Sequence, residues 1–162
     1  MKVSIRVGTA ADTEQAAHVL LAAYSMGDLA EAQAAYRREI EMGHRYLVAE
    51  AAGKIVGISS WYLHGVPHHG LAELDRIAVL PAYRMNGAGS ELFHSLVADA
   101  QHFYAQRGER LRKLFLMTHD DNHAAHALYR KVGMEKEVVL KDHYYDGRAE
   151  AVFSIFFPRS ES

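Results

Sequence analysis

The sequence predicts an α/β protein in which a mixed sheet is interleaved with helices in the order βααβββαβαββ. Three observations carry this: β-prone runs near both ends and in the middle of the chain, apolar stripes of helical period between them, and glycines placed where helices should stop. With 162 residues the chain fits one domain, expected over 1–162.

Residues 3–7 alternate as a strand does, and Thr9 to Asp12 supply N-cap chemistry for a helix carrying Ala16, Val19, Leu20 and Ala23. A second helix, rich in Ala and Glu, runs from about Asp28 to Met42, and Gly43 is placed to end it. Arg45–Glu50 and Lys54–Leu63 read as a hairpin across Ala51, Ala52 and Gly53, and Leu71–Leu80 as a third strand after the Gly65–Gly70 turn. The clearest helix spans about Gly87 to Arg107, with Leu92, Phe93, Leu96, Val97, Ala100, Phe103 and Tyr104 on one stripe and Gly108 beyond its end. Lys113–Thr118 then reads as a strand, Asp121–Val132 as a helix stopped by Gly133, and Val138–Tyr144 with Ala149–Phe157 as a closing hairpin.

Composition excludes several functions. A net charge of -2 offers no positive field for a phosphate backbone, so nucleic acid is not an expected partner. The absence of cysteine removes disulfides, thiol nucleophiles and zinc-thiolate sites together. No apolar stretch approaches the roughly 20 residues of a spanning helix, and the start lacks the apolar core of a signal peptide, so a cytoplasmic protein without membrane attachment is expected.

The informative segment is Ala78-Val79-Leu80-Pro81-Ala82-Tyr83-Arg84-Met85-Asn86-Gly87-Ala88-Gly89, a strand end feeding a glycine-rich entry into the long helix. A helix's first turn has backbone N–H groups without helical acceptors and the positive end of the macrodipole, and glycines at 87 and 89 let a phosphate approach closely. Arg84 would add a charge-assisted contact. On these residues alone, glycines that merely let the chain turn are an equal alternative. A P-loop is excluded, because no lysine occurs between Lys54 and Lys113, and Leu92 stands where a dinucleotide fingerprint wants glycine or alanine.

Arg84-Met85-Asn86-Gly87-Ala88-Gly89 resembles the Arg/Gln-x-x-Gly-x-Gly/Ala signature of the GNAT superfamily of acetyl-CoA-dependent N-acetyltransferases, with Pro81 three residues before it. Ile5-Arg6 with Thr9 and Asp12 resembles the family's opening, and Asn122, Ala125, Leu128, Tyr129 and Gly133 resemble its Asn-x-x-Ala-x-x-x-Tyr-x-x-x-Gly helix. The resemblance spans nearly the whole chain. It implies a mostly antiparallel central sheet with helices on both faces, and acetyl-CoA as co-substrate without a metal. It further implies that the backbone of Ile77, Ala78 and Val79 pairs with the pantetheine arm as an added strand. The amides from Met85 through Asn86, Gly87, Ala88 and Gly89 to Ser90 would hold the pyrophosphate, and Asn122 would contact the arm. Met85 and Asn86 stand where the family often has a glycine or a basic residue, so only the backbone contribution carries over.

Forming an amide from a thioester needs a neutral amine, donors for the developing oxyanion and a proton for the departing thiolate. An alkylammonium has a pKa of about 10, so a base or a water relay to one helps at neutral pH. Glu73 and Asp75 share a face of their strand and are the carboxylate candidates, Glu73 preferred; the plain alternative makes Asp75 and Arg76 structural ion-pair partners and Glu73 a solvated strand-end charge. Periodicity puts Tyr129 on an apolar stripe with Ala124, Ala125, Leu128 and Val132, which suits a core residue; the resemblance implies instead a general acid for the CoA sulfur. It also gives the Val79 amide, or its neighbour, the thioester carbonyl.

Two histidine groups, His64, His68 and His69, and His119, His123 and His126, lack a complementary ligand set and read as exposed loop and helix residues, although His69 or His143 could relay protons. The hairpin Asp142-His143-Tyr144-Tyr145-Asp146-Gly147-Arg148-Ala149-Glu150-Ala151 resembles ribosomal-protein and N-terminal-peptide acetyltransferases. Acidic Asp28, Glu31, Glu73 and Asp75 suit any cationic amine, polyamines included, so peptide and small amine both stay open. A non-catalytic acyl-CoA sensor is the alternative from another class. Apolar Val152–Phe157 offers a surface for a homodimer.

Overall fold

The computed structural model describes residues 2–159. Its strands are β1 (Ser4–Val7), β2 (Arg45–Ala51), β3 (Lys54–Leu63), β4 (Leu71–Val79), β5 (Lys113–His119), β6 (Glu135–Tyr145) and β7 (Arg148–Phe156). The helices are α1 (Thr13–Ala23), α2 (Leu29–Glu41), α3 (Ala88–Ala105) and α4 (His123–Lys131). The sheet order is β1-β2-β3-β4-β5-β7-β6, with β4 and β5 parallel and the pairs β1/β2, β2/β3, β5/β7 and β6/β7 antiparallel. The element order is the βααβββαβαββ read from the sequence, and boundaries move by at most a few residues.

Residues up to Tyr62 together with Arg76–Asp99 form one compact unit, and Leu63–Asp75 with the chain from Ala100 onward a second. In the first unit, Thr9 and Asp12 make a capping box: the Thr9 amide donates to Asp12 at 2.8 Å and the Ala11 amide to Thr9 Oγ1 at 3.3 Å. Arg6 grips the Asp12 carboxylate with two N–H groups at 2.9 and 2.7 Å and also bonds Glu50 across from β1, so β1, β2 and the start of α1 are fixed by one guanidinium. The core of this unit places Ala16, Val19 and Leu20 of α1 and Ala32 and Tyr36 of α2 against Tyr46, Val48 and Ile58. Trp61 is fully buried, and its indole N–H reaches Asp99 at 2.8 Å, the same carboxylate that Arg45 holds at 2.7 and 2.8 Å.

In the second unit, register decides which residues share a face. Glu73 pairs with Phe115, and Phe115 with Ser154; Met117 pairs with Val152, and His119 with Glu150. Aligned partners project to the same side, and alternate residues along a strand do so too. Glu73, Asp75, Phe115, Met117, His119, Glu150, Val152 and Ser154 therefore occupy one face. The opposite face carries Leu114, Leu116, Ala151 and Phe153, all buried, and α4 packs there through Tyr129 and His126, whose rings lie 5.6 and 4.8 Å from that of Phe153. β7 is flanked by β5 and β6, and its Val152 and Phe153 are spent on the interior; the exposed apolar residues of this hairpin are Val138, Val139, Tyr144, Tyr145 and Phe156.

Candidate active site

Gly57 and Val56 of β3 locate the end of β4. The Leu80 amide donates to the Val56 carbonyl at 2.8 Å, and the Ala78 carbonyl lies 3.2 Å from where a Cβ on Gly57 would sit. Backbone groups of successive strand residues point to opposite edges, so Ile77 and Val79 present theirs at the other edge. That edge is covered by side chains of its own unit. The Ile77 amide donates to the Tyr24 hydroxyl at 3.0 Å, that hydroxyl lies 3.3 Å from the Ile77 carbonyl oxygen, and Arg84 Nε donates to the Val79 carbonyl at 2.9 Å.

After a 3₁₀ turn over Pro81–Tyr83 the chain becomes exposed from Arg84 to Gly87. Met85 adopts a left-handed φ of 67° and Gly87 one of 81°, and a Cβ at Gly87 would meet nothing within 4 Å. The first amide of α3 bonded to a carbonyl four residues back is Glu91, donating to Gly87, so the amides of Ala88, Gly89 and Ser90 have no such helical acceptor. Ala88 is buried and Leu92, Phe93 and Leu96 anchor the helix below. This is an open, rigidly based cradle whose backbone suits an oxyanion, and it fits a pyrophosphate without needing any side chain of Met85 or Asn86.

In the second unit Glu73 is only 7% exposed, with its Oε1 3.4 Å from His64 Nδ1, while Asp75 is exposed. The reading of Glu73 as a solvated strand-end charge is thereby corrected: its side chain is enclosed on the face it shares with Phe115, whose ring His64 also meets edge-on at 5.2 Å. Arg76 takes Glu39 of α2 as its ion-pair partner at 2.7 Å. The Tyr144 phenol is pushed up by partial burial and then by the negative charges of Glu73, Glu150 and Asp75. Tyr129 is buried on the opposite face, so it and Glu73 flank the strands from two sides. Asn122 caps α4, its Oδ1 accepting from the Ala125 amide at 3.2 Å.

His64, His68, His69 and His123 are exposed as their positions suggest, whereas His126 and His119 are not. His126 is 2% exposed, with Nε2 3.2 Å from the His119 carbonyl oxygen, because the buried stripe of α4 runs through His126 and Tyr129 while Ala124 faces outward. His119 Nδ1 bonds the buried carboxylate of Glu150. His69 Nδ1 accepts from the Val66 amide at 3.3 Å and holds its own turn, and His143 is exposed beside the Tyr144 ring.

The acetyltransferase (GNAT) family model matches residues 13–134. The chain belongs to the GNAT family. As a GNAT acetyltransferase it is an acyltransferase whose co-substrate is acetyl-CoA, and the family needs no metal. It is 33% identical over 144 residues, 88% of this chain and 84% of the relative, to the N-alpha-acetyltransferase RimI of Mycobacterium tuberculosis. Its fold is similar to that of the ribosomal-protein-S18-alanine N-acetyltransferase of Escherichia coli, with a TM-score of 0.77 and 18% identity over 99% of this chain and 97% of the other. It is also similar to a Salmonella typhimurium acetyltransferase solved with its cofactor acetyl-CoA, with a TM-score of 0.70 and 18% identity over 100% and 98% of the two chains.

Within this GNAT chain, the loop, the β4 edge, Glu73 and Tyr129 are candidates to which the family resemblance points. Tyr24 and the His119–Glu150 pair are not. Tyr24 follows α1 in a segment without a motif, and the pairing of His119 with Glu150 depends on which strands lie side by side, which no local pattern records.

Proposed function

We propose that the protein transfers acetyl from acetyl-CoA to the α-amine of a peptide or protein N-terminus. The observation that carries this reading is the buried Glu73 on a face with Asp75 and Glu150, a set of carboxylates suited to a cationic amine. The similarity to an N-alpha-acetyltransferase over most of both chains supports the peptide acceptor over a polyamine. In this reading the amides of Ala88 to Ser90 and the turn from Met85 hold the pyrophosphate, and the arm pairs with Ile77 and Val79, exchanging its carbonyl and amide for the Tyr24 hydroxyl and the Arg84 side chain. Asn122 contacts the arm.

Chemistry then follows from roles. The neutral amine attacks the thioester carbon, a β4 amide stabilises the oxyanion, and Tyr129 gives its phenolic proton to the departing thiolate. Glu73, or Asp75 beside it, takes a proton from nitrogen as the tetrahedral intermediate collapses. A turnover screen reading thiol release from acetyl-CoA tests the acceptor, using peptides with free N-termini, N-blocked lysine peptides, polyamines and aminoglycosides. Turnover confined to free N-termini is expected. Equal turnover of a polyamine would overturn the peptide reading, and acetyl-CoA binding without any turnover would make the protein a sensor.

A further inference from the structure

We propose that His119, oriented by Glu150, is a catalytic base that takes the first proton from the acceptor ammonium. This inference rests on the amine-acetylation reading above and adds a residue to it.

The proton balance leaves a role for a second acceptor. An alkylammonium bears three protons and the amide product keeps one, so two leave nitrogen: one before attack and one as the intermediate collapses. The thiolate recovers one, and the net reaction releases the other to solvent. A single carboxylate serves one of these transfers. The group that clears the ammonium must pass its proton outward, and a group that titrates in the neutral range suits that task.

Four observations place that group at His119. Glu150 is 2% exposed, and its Oε1 bonds His119 Nδ1 directly across the β5/β7 ladder, where the two residues are register partners. A carboxylate can only accept, so Nδ1 carries the hydrogen, and in the neutral imidazole Nε2 then keeps its lone pair. The His119 side chain is 34% exposed, so the ring is held through Nδ1 and part of it meets solvent. Finally, His119 and Glu150 lie on the face of Glu73 and Asp75, and the negative charges of Glu73, Glu150 and Asp75 all act on the Tyr144 phenol. The groups facing His119 are Glu150 from β7, Tyr145 from β6 with its ring 6.3 Å away, and His126 from α4, which bonds its carbonyl. A purely structural pair would satisfy the buried Glu150 equally well, but it would not require part of the imidazole to meet solvent.

In the step itself, an N–H bond of the ammonium breaks, its electron pair stays on nitrogen, and the proton binds His119 Nε2 before passing to water. The freed amine forms the C–N bond as above. Glu150 is a positioning residue: it fixes the tautomer and steadies the imidazolium.

The test is the pH dependence of kcat/KM for the wild type, His119→Gln and His119→Ala, with a peptide acceptor identified by the screen and acetyl-CoA binding followed by calorimetry. The wild type is expected to lose activity as pH falls through the neutral range. His119→Gln should lower kcat/KM at pH 7 by about 10²-fold. That deficit should shrink as pH approaches the pKa of the acceptor amine, while acetyl-CoA affinity stays within about twofold of the wild type. Added imidazole should restore part of the activity of His119→Ala, a recovery that a structural role would not give. A wild-type profile without the neutral limb, or a deficit constant with pH and unmoved by imidazole, overturns the inference while leaving amine acetylation intact; the first of these needs no variant to fold. Wild-type protein that binds acetyl-CoA and turns over no amine overturns both.

Discussion

The Tyr24 hydroxyl sits on both backbone hydrogen-bonding groups of Ile77, 3.0 Å from its nitrogen and 3.3 Å from its oxygen. The ring is held in place by Arg76, whose guanidinium lies 4.7 Å from the ring centroid and is itself tied to Glu39 at 2.7 Å. If the pantetheine arm pairs with Ile77, it must displace this hydroxyl. Tyr24→Phe keeps the ring over Arg76 and removes only the competitor, so acetyl-CoA should bind about twofold to tenfold more tightly, from a net hydrogen-bond value of about 0.5–1.5 kcal/mol. Calorimetry decides it, and unchanged or weaker binding would mean that the arm leaves Ile77 alone.

Gly87 distinguishes charge from strain. Its φ of 81° disfavours any side chain, although the space around it is open. Gly87→Ala should lower stability by about 1 kcal/mol while retaining measurable CoA binding. Gly87→Glu should abolish that binding, because its carboxylate would occupy the phosphate cradle.

Tyr129→Phe should lower turnover at least tenfold with acetyl-CoA affinity held within about twofold, since the ring packing against Phe153 is kept and only the hydroxyl proposed as the acid is lost. Steady-state kinetics and calorimetry on the same preparation separate the two effects.

Asn122 caps α4 and, in the proposed function, also contacts the pantetheine arm, and substitution can part the two. Its Oδ1 caps α4 through the Ala125 amide, which Asp would also do, whereas only the amide nitrogen can donate to an acetyl-CoA carbonyl. Asn122→Asp should preserve the unfolding midpoint and weaken acetyl-CoA binding. Asn122→Ala should lose about 1 kcal/mol of stability as well.

Asp12 makes stability depend on acid. Hydrogen bonds from Arg6 lead in holding its carboxyl below the ordinary carboxylate value, against the opposing effect of burial. A depressed folded-state value stabilises the fold above the unfolded pKa, and that contribution disappears as pH falls through the folded one. Asp12→Asn should therefore unfold at lower temperature than the wild type at neutral pH, with the gap closing below about pH 4. A gap that persists at low pH would assign Asp12 a role unrelated to its charge.

Local chemistry made much of this molecule legible. Thr9 and Asp12 announce a helix start, and the structure closes them into a capping box; Asp28 and Asn122 cap α2 and α4 by accepting from the Glu31 and Ala125 amides. Gly43, Gly108 and Gly133 all adopt the positive φ that a helix end or turn requires. The candidate cofactor segment was legible as a motif because it is contiguous, from Ile77 to Ser90. The site was opaque where partners are distant in sequence: Glu73 looks solvated until His64 and Phe115 are placed beside it, and His126 looks exposed until Phe153 fixes the rotation of α4. The apolar run Val152–Phe157 likewise reads as a surface for association, whereas β7 lies between two strands and spends Val152 and Phe153 on the interior.

β6 is the last strand in the sheet order, and all but one of its eleven residues are exposed. Its unpaired side is a template for another strand, and what guards it is charge: Lys136 tied to Asp120 at 3.1 Å, Glu137 to Lys113 at 2.8 Å, and Lys141 further along. Screening weakens such a guard as salt rises. The colloidal behaviour of the purified protein, its tolerance of high concentration and of salting conditions, thus depends on the charges along this edge strand.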